Sequence, residues 1–277
     1  MEDFNFMENI KVGFVGCGMM GSALIKAIAK SLPGKNIFVC DTDVKKVENL
    51  VAKLGVVAKK DSVEVATEVD FLFIAVKPAF VATVLEDVTS LVAKEDLPVF
   101  VSIAAGLELE KLKKSALTVS RFIRLMPNLP ATVGEAMIAM CGDDDISAEE
   151  KATVKALLAK AGTVEEVPEK LMDCVTGISG SGPAYGFVFI EALADAAVKL
   201  GMPRNQAYIY AAQTLKGAAA MVLETKQHPA SLKDGVCSPG GTTIAAVEKL
   251  EELGFRNAVI KAAVAATERS MEMGGRK

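Results

Sequence analysis

VGFVGCGMMG, residues 12–21, is the stretch on which the fold turns. The apolar run Ile10–Val15 reads as a short strand. It leads into Gly16-Cys17-Gly18-Met19-Met20-Gly21, after which Met19–Leu32 has helical spacing up to Pro33-Gly34. A strand, a Gly-x-Gly-x-x-Gly turn and a helix in that order open a dinucleotide-binding βαβ unit. Gly16 permits the tight turn. Gly18 lets the backbone approach a pyrophosphate without a Cβ in the way, and Gly21 lets the helix pack closely. The helix start offers free N–H groups and partial positive charge to the phosphates.

The pattern continues outward from this unit. Asn36–Cys40 (NIFVC) reads as a second strand ending at Asp41, 20 residues after Gly21. An acid there can bind the adenosine ribose 2′-OH and repel a 2′-phosphate. With equal weight, Asp41 or Asp43 caps the amphipathic helix Asp43–Leu54, which Gly55 closes. Val69–Val76 and Pro98–Ile103 are continuously apolar, as buried parallel strands are. Phe80–Val92 is helical, and Ser120–Leu125, Ala136–Met140 and Thr163–Val167 are further strands. Ser147–Lys160 is a helix with a capping box, Ser147 and Glu150. This alternation predicts an α/β domain with a doubly wound, mainly parallel sheet.

After Pro168 the strand signal fades. Glu169–Leu200, Arg204–Thr225, Pro239–Leu253 and Phe255–Met273 read as helices, with a kink or break expected at Pro183. The expected organisation is an extended or disordered N-terminus at 1–9, an NAD(P)-binding domain at 10–168 and an all-α domain at 169–277.

Ligands of doubly wound sheets bind at the carboxyl ends of the strands. Three loops should lie there: Ala75-Val76-Lys77-Pro78, SIAAG at 102–106 and MPNLP at 126–130. Small residues at Ala104, Ala105 and Gly106 leave room for a flat nicotinamide. Lys77 is either a cation near ribose or phosphate or a solvated lysine before a proline-started helix. Asn128 either holds an amide or caps a turn.

A second anion site is written at SPGGTT, 238–243. Gly240 and Gly241 leave N–H groups accessible, Thr242 and Thr243 add hydroxyls, and the following helix adds its dipole. The plain alternative is a helix start with Ser238 as N-cap and Pro239 at N1. Two glycines in a first turn weaken that alternative.

Composition narrows the classes. Hydrophobic residues make up 51%, enough for a core, and the net charge of −4 gives no footprint for nucleic acid. The five cysteines are scattered, with no Cys-x-x-Cys, which argues against disulfides or a zinc site and for a reducing cytoplasm. The N-terminus has no apolar core of a signal peptide, and the apolar stretch 183–200 is broken by Glu191 and Asp195, so no membrane span is expected. His228 is the single histidine, and no nucleophile–histidine–acid set or metal-ligand cluster is visible.

VGFVGCGMMG, IAVKP, VSIAAG, SGSGPAY with EALADAAVKLGMP after it, and CSPGGTTIAAVEKLEELGFR together resemble the pyrroline-5-carboxylate reductase family. The likeness runs from about Ile10 to the C-terminus, and the last block is its most specific part. It implies reduction of 1-pyrroline-5-carboxylate to L-proline, the final step of proline biosynthesis, with NADPH or NADH. It also implies a Rossmann-like N-terminal domain, a helical domain that forms a homodimer, and assembly of dimers into a decamer. Carried over by position, the cofactor contacts are Val15, Gly16, Cys17, Gly18, Met19, Met20, Ala75, Val76, Lys77, Pro78, Ile103, Ala104 and Ala105, with Gly21 of the turn standing where the family often has alanine. Ser62 stands where many members have an asparagine near the adenosine, and Asp41 differs from the neutral or basic residues of NADPH-preferring members. The substrate contacts are Ser238, Gly240, Gly241, Thr242 and Thr243, with Asn128 beside them; Thr243 reaches the ring nitrogen as the catalytic group. Lys226 stands where some members have a glutamate near the substrate. Two other readings are a β-hydroxyacid dehydrogenase, which leaves SPGGTT unexplained, and a non-catalytic nucleotide sensor.

Overall fold

A computed structural model describes residues 9–276. The expectation for 1–9 therefore lies almost wholly outside the described residues. The chain divides into two compact units, one running to Gly180 and resuming at Ala266, the other Ser181–Ala265.

The first unit holds an eight-stranded sheet: β1 Val12–Val15, β2 Ile37–Cys40, β3 Val57–Ala58, β4 Phe71–Ile74, β5 Val99–Ser102, β6 Phe122–Met126, β7 Ala136–Gly142 and β8 Gly162–Glu166. The order is β3-β2-β1-β4-β5-β6-β7-β8. All neighbours are parallel except β6 and β7, which run antiparallel with Leu125 opposite Met140. The strand order reverses between β1 and β4, the switch point at which such sheets bind ligands.

Period-two alternation sorts the strand residues between two cores. Phe14, Phe73, Val101 and Ile123 face one side, where helices α1 (Met19–Ile28), α2 (Val44–Leu54) and α6 (Ala148–Leu158) supply Leu24, Ile25, Leu50 and Leu157. Val15, Ile74, Phe100 and Phe122 face the other, under α3 (Ser62–Ala66), α4 (Pro78–Leu91) and α5 (Leu109–Ser115), with Val65, Leu85 and Leu112. Phe14 stacks on Phe73 at 4.5 Å and Phe100 on Phe122 at 5.2 Å. Both faces are dry, which is why these strands read as continuous apolar runs. The Ser147 capping box forms as expected. The short β3, α3 and α5 carry too few residues for periodicity and were not expected.

The expected helix 169–200 is interrupted. A 3-10 turn at Glu169–Leu171, α7 (Met172–Val175) and a π-type turn, Thr176–Gly180, precede α8 (Gly182–Lys199), with Pro183 in its first turn. The first unit also holds the end of the chain. Arg276 pairs with Glu108 and buried Asp173, each at 2.7 Å, and Ser270 donates to Asp173 at 2.8 Å.

The second unit consists of α8, α9 (Arg204–Thr225), α10 (Pro229–Val236), α11 (Thr242–Glu252) and the first part of α12 (Phe255–Met273). Helix α10 was not expected. Its fully buried core is small, Ala194, Ala207 and Ala211. Phe187, Val188, Leu200, Ile209, Tyr210 and Leu223 stay exposed on α8, on α9 and just after α8. Asp195 pairs with Arg204 across the α8–α9 turn.

Candidate active site

The glycines of the first turn are required by geometry. Gly16 has φ +103°, and a Cβ there would lie 2.7 Å from the Ala75 carbonyl oxygen. A Cβ on Gly21 would lie 2.3 Å from the Gly16 oxygen, so it is the turn itself that the helix start packs against. Gly18 is the opposite case: a Cβ there meets nothing within 4 Å. It is the N-cap of α1, with no side-chain cap, and the N–H groups that follow have no partner of their own. Open space and free donors at a helix start fit a pyrophosphate.

Asp41 closes this turn from the next strand. Its carboxylate accepts the Cys17 N–H at 2.5 Å and the Asp43 N–H at 2.8 Å. The N-cap position of α2 belongs to Asp43, which makes no side-chain cap bond. Asp41 is thus held rigidly at the mouth of the turn, with lone pairs to spare for another donor. Burial pushes the Cys17 and Cys40 thiols up to about 12, so both stay protonated, and Cys17 serves through its backbone.

A cleft of about 510 Å³ opens at the switch point. Its walls bring together Val15, Gly16, Gly18, Asp41, Ser62, Ala75, Val76 and Lys77 from the expected set. Pattern reading missed Lys46, Lys60, Asp61 and Phe80, which also line it. Asp61 caps α3 through the N–H groups of Val63 and Glu64, which sets buried Ser62 at the cleft wall. Lys46 leans on Asp43 at 3.4 Å. Lys77 is the exposed N-cap of α4, with Pro78 at N1. Ile103, Ala104 and Ala105 follow β5 at the same sheet edge but do not line the cleft; Ala104 is buried. Met19 and Met20 begin α1.

Asn128 is buried, and both ends of its carboxamide are engaged inside the first unit. Its Oδ1 accepts the Met137 N–H at 3.1 Å, and its Nδ2 donates to the Ser179 carbonyl at 2.9 Å. It therefore pins the π-type turn to the end of β6. Such turns recur at functional sites.

In the second unit, Ser238-Pro239-Gly240-Gly241 forms a β-turn of type II character. Pro239 stands at its second position, Gly240 has φ +67°, and Gly241 N–H donates to Ser238 C=O at 3.0 Å. This corrects two expectations. The Gly241 N–H is used in the turn, and the helix starts at Thr242 with Gly241 as N-cap, so Ser238 and Pro239 are not its first residues. The free donors shift to the first turn of α11, the N–H groups of Thr242, Thr243 and Ile244. A Cβ on Gly241 would lie 2.4 Å from Ser238 Oγ and 3.1 Å from the Ser238 carbonyl oxygen, so a larger residue there must displace the Ser238 hydroxyl.

The helices that follow the two Gly-rich loops thus share one device: a glycine N-cap, no side-chain cap, and donors left for an anion. Elsewhere in the chain Asp61 and Ser147 satisfy such donors internally.

Comparison with known proteins gives the family. The family model for pyrroline-5-carboxylate reductase dimerisation matches residues 169–273. The model for NADP oxidoreductase, coenzyme F420-dependent, matches residues 11–106. The pyrroline-5-carboxylate reductase of Escherichia coli is 46% identical over 95% of this chain and 98% of its own. That of Methanosarcina acetivorans is 43% identical over 97% and 99%. The chain belongs to the pyrroline-5-carboxylate reductase family. The pyrroline carboxylate reductase of Plasmodium falciparum, solved with NADP bound, superposes with a TM-score of 0.85 at 35% identity, covering 97% of this chain and 99% of that one. Fold and family therefore agree over the whole described chain.

Proposed function

We propose that the chain reduces 1-pyrroline-5-carboxylate to L-proline with NADPH or NADH, the last step of proline biosynthesis. The observation that carries this reading is the pair of glycine-capped helix starts, one beside a cleft sized for part of a dinucleotide, the other bearing two threonines.

NAD(P)H, when bound, supplies a hydride to the imine carbon. The protein's own work is mostly positioning. The first-turn N–H groups of α11 hold the substrate carboxylate in ground and transition states alike, so they govern binding first. The Thr243 hydroxyl meets the ring nitrogen and orients it. A protonated imine is already electrophilic, so no general base is required. The C=N bond becomes C–N, and the amine's lone pair takes its proton from water. Gly18 leaves room for the pyrophosphate, and Val15, Gly16, Cys17, Met19, Met20, Ala75–Pro78 and Ile103–Ala105 shape the rest of the cofactor path. Asn128 acts through the turn it pins. Asp41 favours NADH, while Lys46 and Lys60 in the same cleft keep NADPH usable.

Residues 10–168 serve as the cofactor-binding domain and 169–277 as the substrate-binding and dimerising one. The working unit is a homodimer that assembles into a decamer in the cytoplasm. Among the described residues no helix is long and apolar enough to cross a membrane.

One assay decides between this reading and its neighbours. NAD(P)H oxidation with pyrroline-5-carboxylate is measured beside NAD⁺ reduction with a 3-hydroxy acid. Activity only in the second overturns the proposal, as does binding of NAD(P)H without either activity.

A further inference from the structure

We propose that Arg276 is a positioning residue for the nicotinamide end of the cofactor, acting through the stretch Ile103–Glu108. The inference rests on the reading of Ile103–Ala105 as cofactor contacts. This stretch joins β5 to α5 and is fixed at both ends. At its start the Ile103 N–H donates to the Ile74 carbonyl at 3.3 Å, and the Ala104 N–H donates to Ser102 Oγ at 3.3 Å. Further along stands Gly106, with φ +76° and open space where a side chain would be. The sheet holds the first residues; the rest are placed by whatever grips the start of α5.

Helix α5 has no side-chain cap of its own, and Glu108 stands at its N-cap. The N–H of its first residue, Leu109, donates to Glu169 at 2.7 Å, and the same carboxylate oxygen meets buried Arg124 at 3.0 Å. Glu108 is held from beyond α12. Arg276 Nη1 lies 2.7 Å from Glu108 Oε1, and Nη2 lies 2.7 Å from Oδ2 of buried Asp173. Lys111, one turn along α5, donates to the Gly274 carbonyl. Glu108 and Lys111 are spaced i, i+3, so the first turn of α5 meets the segment 274–276 through one face.

That segment closes α12 as a Schellman motif. The Arg276 N–H donates to the Met271 carbonyl at 2.9 Å, the Gly275 N–H donates to the Glu272 carbonyl at 2.9 Å, and Gly275 has φ +77°. The backbone of Arg276 is thus fixed independently of its ion pairs, which lowers their ordering cost. Asp173 is fixed as well, by the Ser270 hydroxyl at 2.8 Å. Without the guanidinium, Glu108 and Asp173 are two carboxylates with no cation between them, and they repel. The start of α5 then shifts, and the stretch 103–108 is competent for a fraction of the time. Apparent cofactor affinity falls by that fraction.

The test measures Kd for NADH by nicotinamide fluorescence, and kcat and KM for pyrroline-5-carboxylate at saturating NADH. The variants are R276M, R276K, E108Q, the double variant E108Q/R276M, and A105L, each measured below its own melting transition. R276M should raise Kd for NADH about two- to fivefold, the scale of a partly exposed ion pair, and leave KM for pyrroline-5-carboxylate unchanged. R276K should restore most of the affinity. E108Q should match R276M, and the double variant should bind no more weakly than either single one. A105L enlarges an exposed residue of the stretch itself and should weaken NADH binding on its own. R276M with wild-type Kd overturns the proposal, whatever its melting temperature; if A105L is weakened, the reading of 103–105 survives it. A105L with wild-type Kd removes that reading and this proposal with it. An equal rise in Kd for NADH and KM for pyrroline-5-carboxylate marks general loosening and also overturns it. If R276M does not fold, E108Q decides on the same two constants.

Discussion

Thr243 stands in the first turn of α11, and among the described residues its hydroxyl has no hydrogen-bond partner. Thr243→Ala keeps the backbone N–H and removes the group assigned to the ring nitrogen. The expected loss in kcat/KM for pyrroline-5-carboxylate is about 1.5–3 kcal/mol, the scale of a hydrogen bond to a charged group. NAD(P)H affinity, measured by fluorescence titration, should not change. Asp41 carries a separate expectation. Its carboxylate is fixed by the Cys17 and Asp43 N–H groups, so its charge stays at the cleft. NADH should give the higher kcat/KM, and Asp41→Ser should improve NADPH use more than it harms NADH use. A wild type that strongly prefers NADPH would show that Lys46 and Lys60 outweigh the acid. The cysteines give a third. With thiols pushed up to about 12 for Cys17 and Cys40 and about 11 for Cys141, these three remain protonated at neutral pH. Alkylation of the native protein, mapped by mass spectrometry, should mark exposed Cys174 and leave those three until the chain is denatured.

At the scale of elements, helix starts differ in whether a side chain caps them. Helix α6 satisfies its own donors: Ser147 accepts the Glu150 N–H, and Glu150 accepts the Ser147 N–H. Ser147→Ala should cost about 1 kcal/mol in chemical denaturation and leave kinetics unchanged. Helices α1 and α11 leave their donors free behind glycine caps, so substitutions there act on ligands instead. Gly241→Val drives a side chain into Ser238 and should chiefly raise KM for pyrroline-5-carboxylate. A Gly241→Val enzyme with unaltered substrate KM would break the link between this turn and the carboxylate. The antiparallel entry of β7 and β8 extends the sheet beyond the parallel core without adding to the switch point between β1 and β4.

At the scale of the whole molecule, the two units are unequal in self-sufficiency. The sheet unit buries large side chains on both faces. The helical unit fully buries three alanines and leaves large apolar residues on α8, α9 and α12 in water. A lone chain with that much exposed apolar surface invites association. The family's dimerisation segment covers these helices. An obligate dimer with an apolar interface larger than ~2,000 Å² is expected. Light scattering combined with an activity assay checks it: a fully active monomer at micromolar concentration would sink the idea.

The sequence by itself determined the class of the sheet, the order of its longer strands and helices, and the two Gly-rich loops that lead into helices. Those signals are local. A left-handed glycine such as Gly16 or Gly240, a capping box, or a period of two or 3.6 is written within a few consecutive residues. Only the tertiary structure decided what Asp41 does, because its partner Cys17 is 24 residues away. The same holds for Asn128, which meets Ser179 across 51 residues, and for the cleft lysines Lys46 and Lys60, which come from separate βα units. The interruption next to Pro183 was legible as a kink or break, but its π-type form and the engagement of the Gly241 N–H lay beyond pattern reading. There the apolar spacing is intact, and the outcome rests on which backbone groups find partners once the chain is packed.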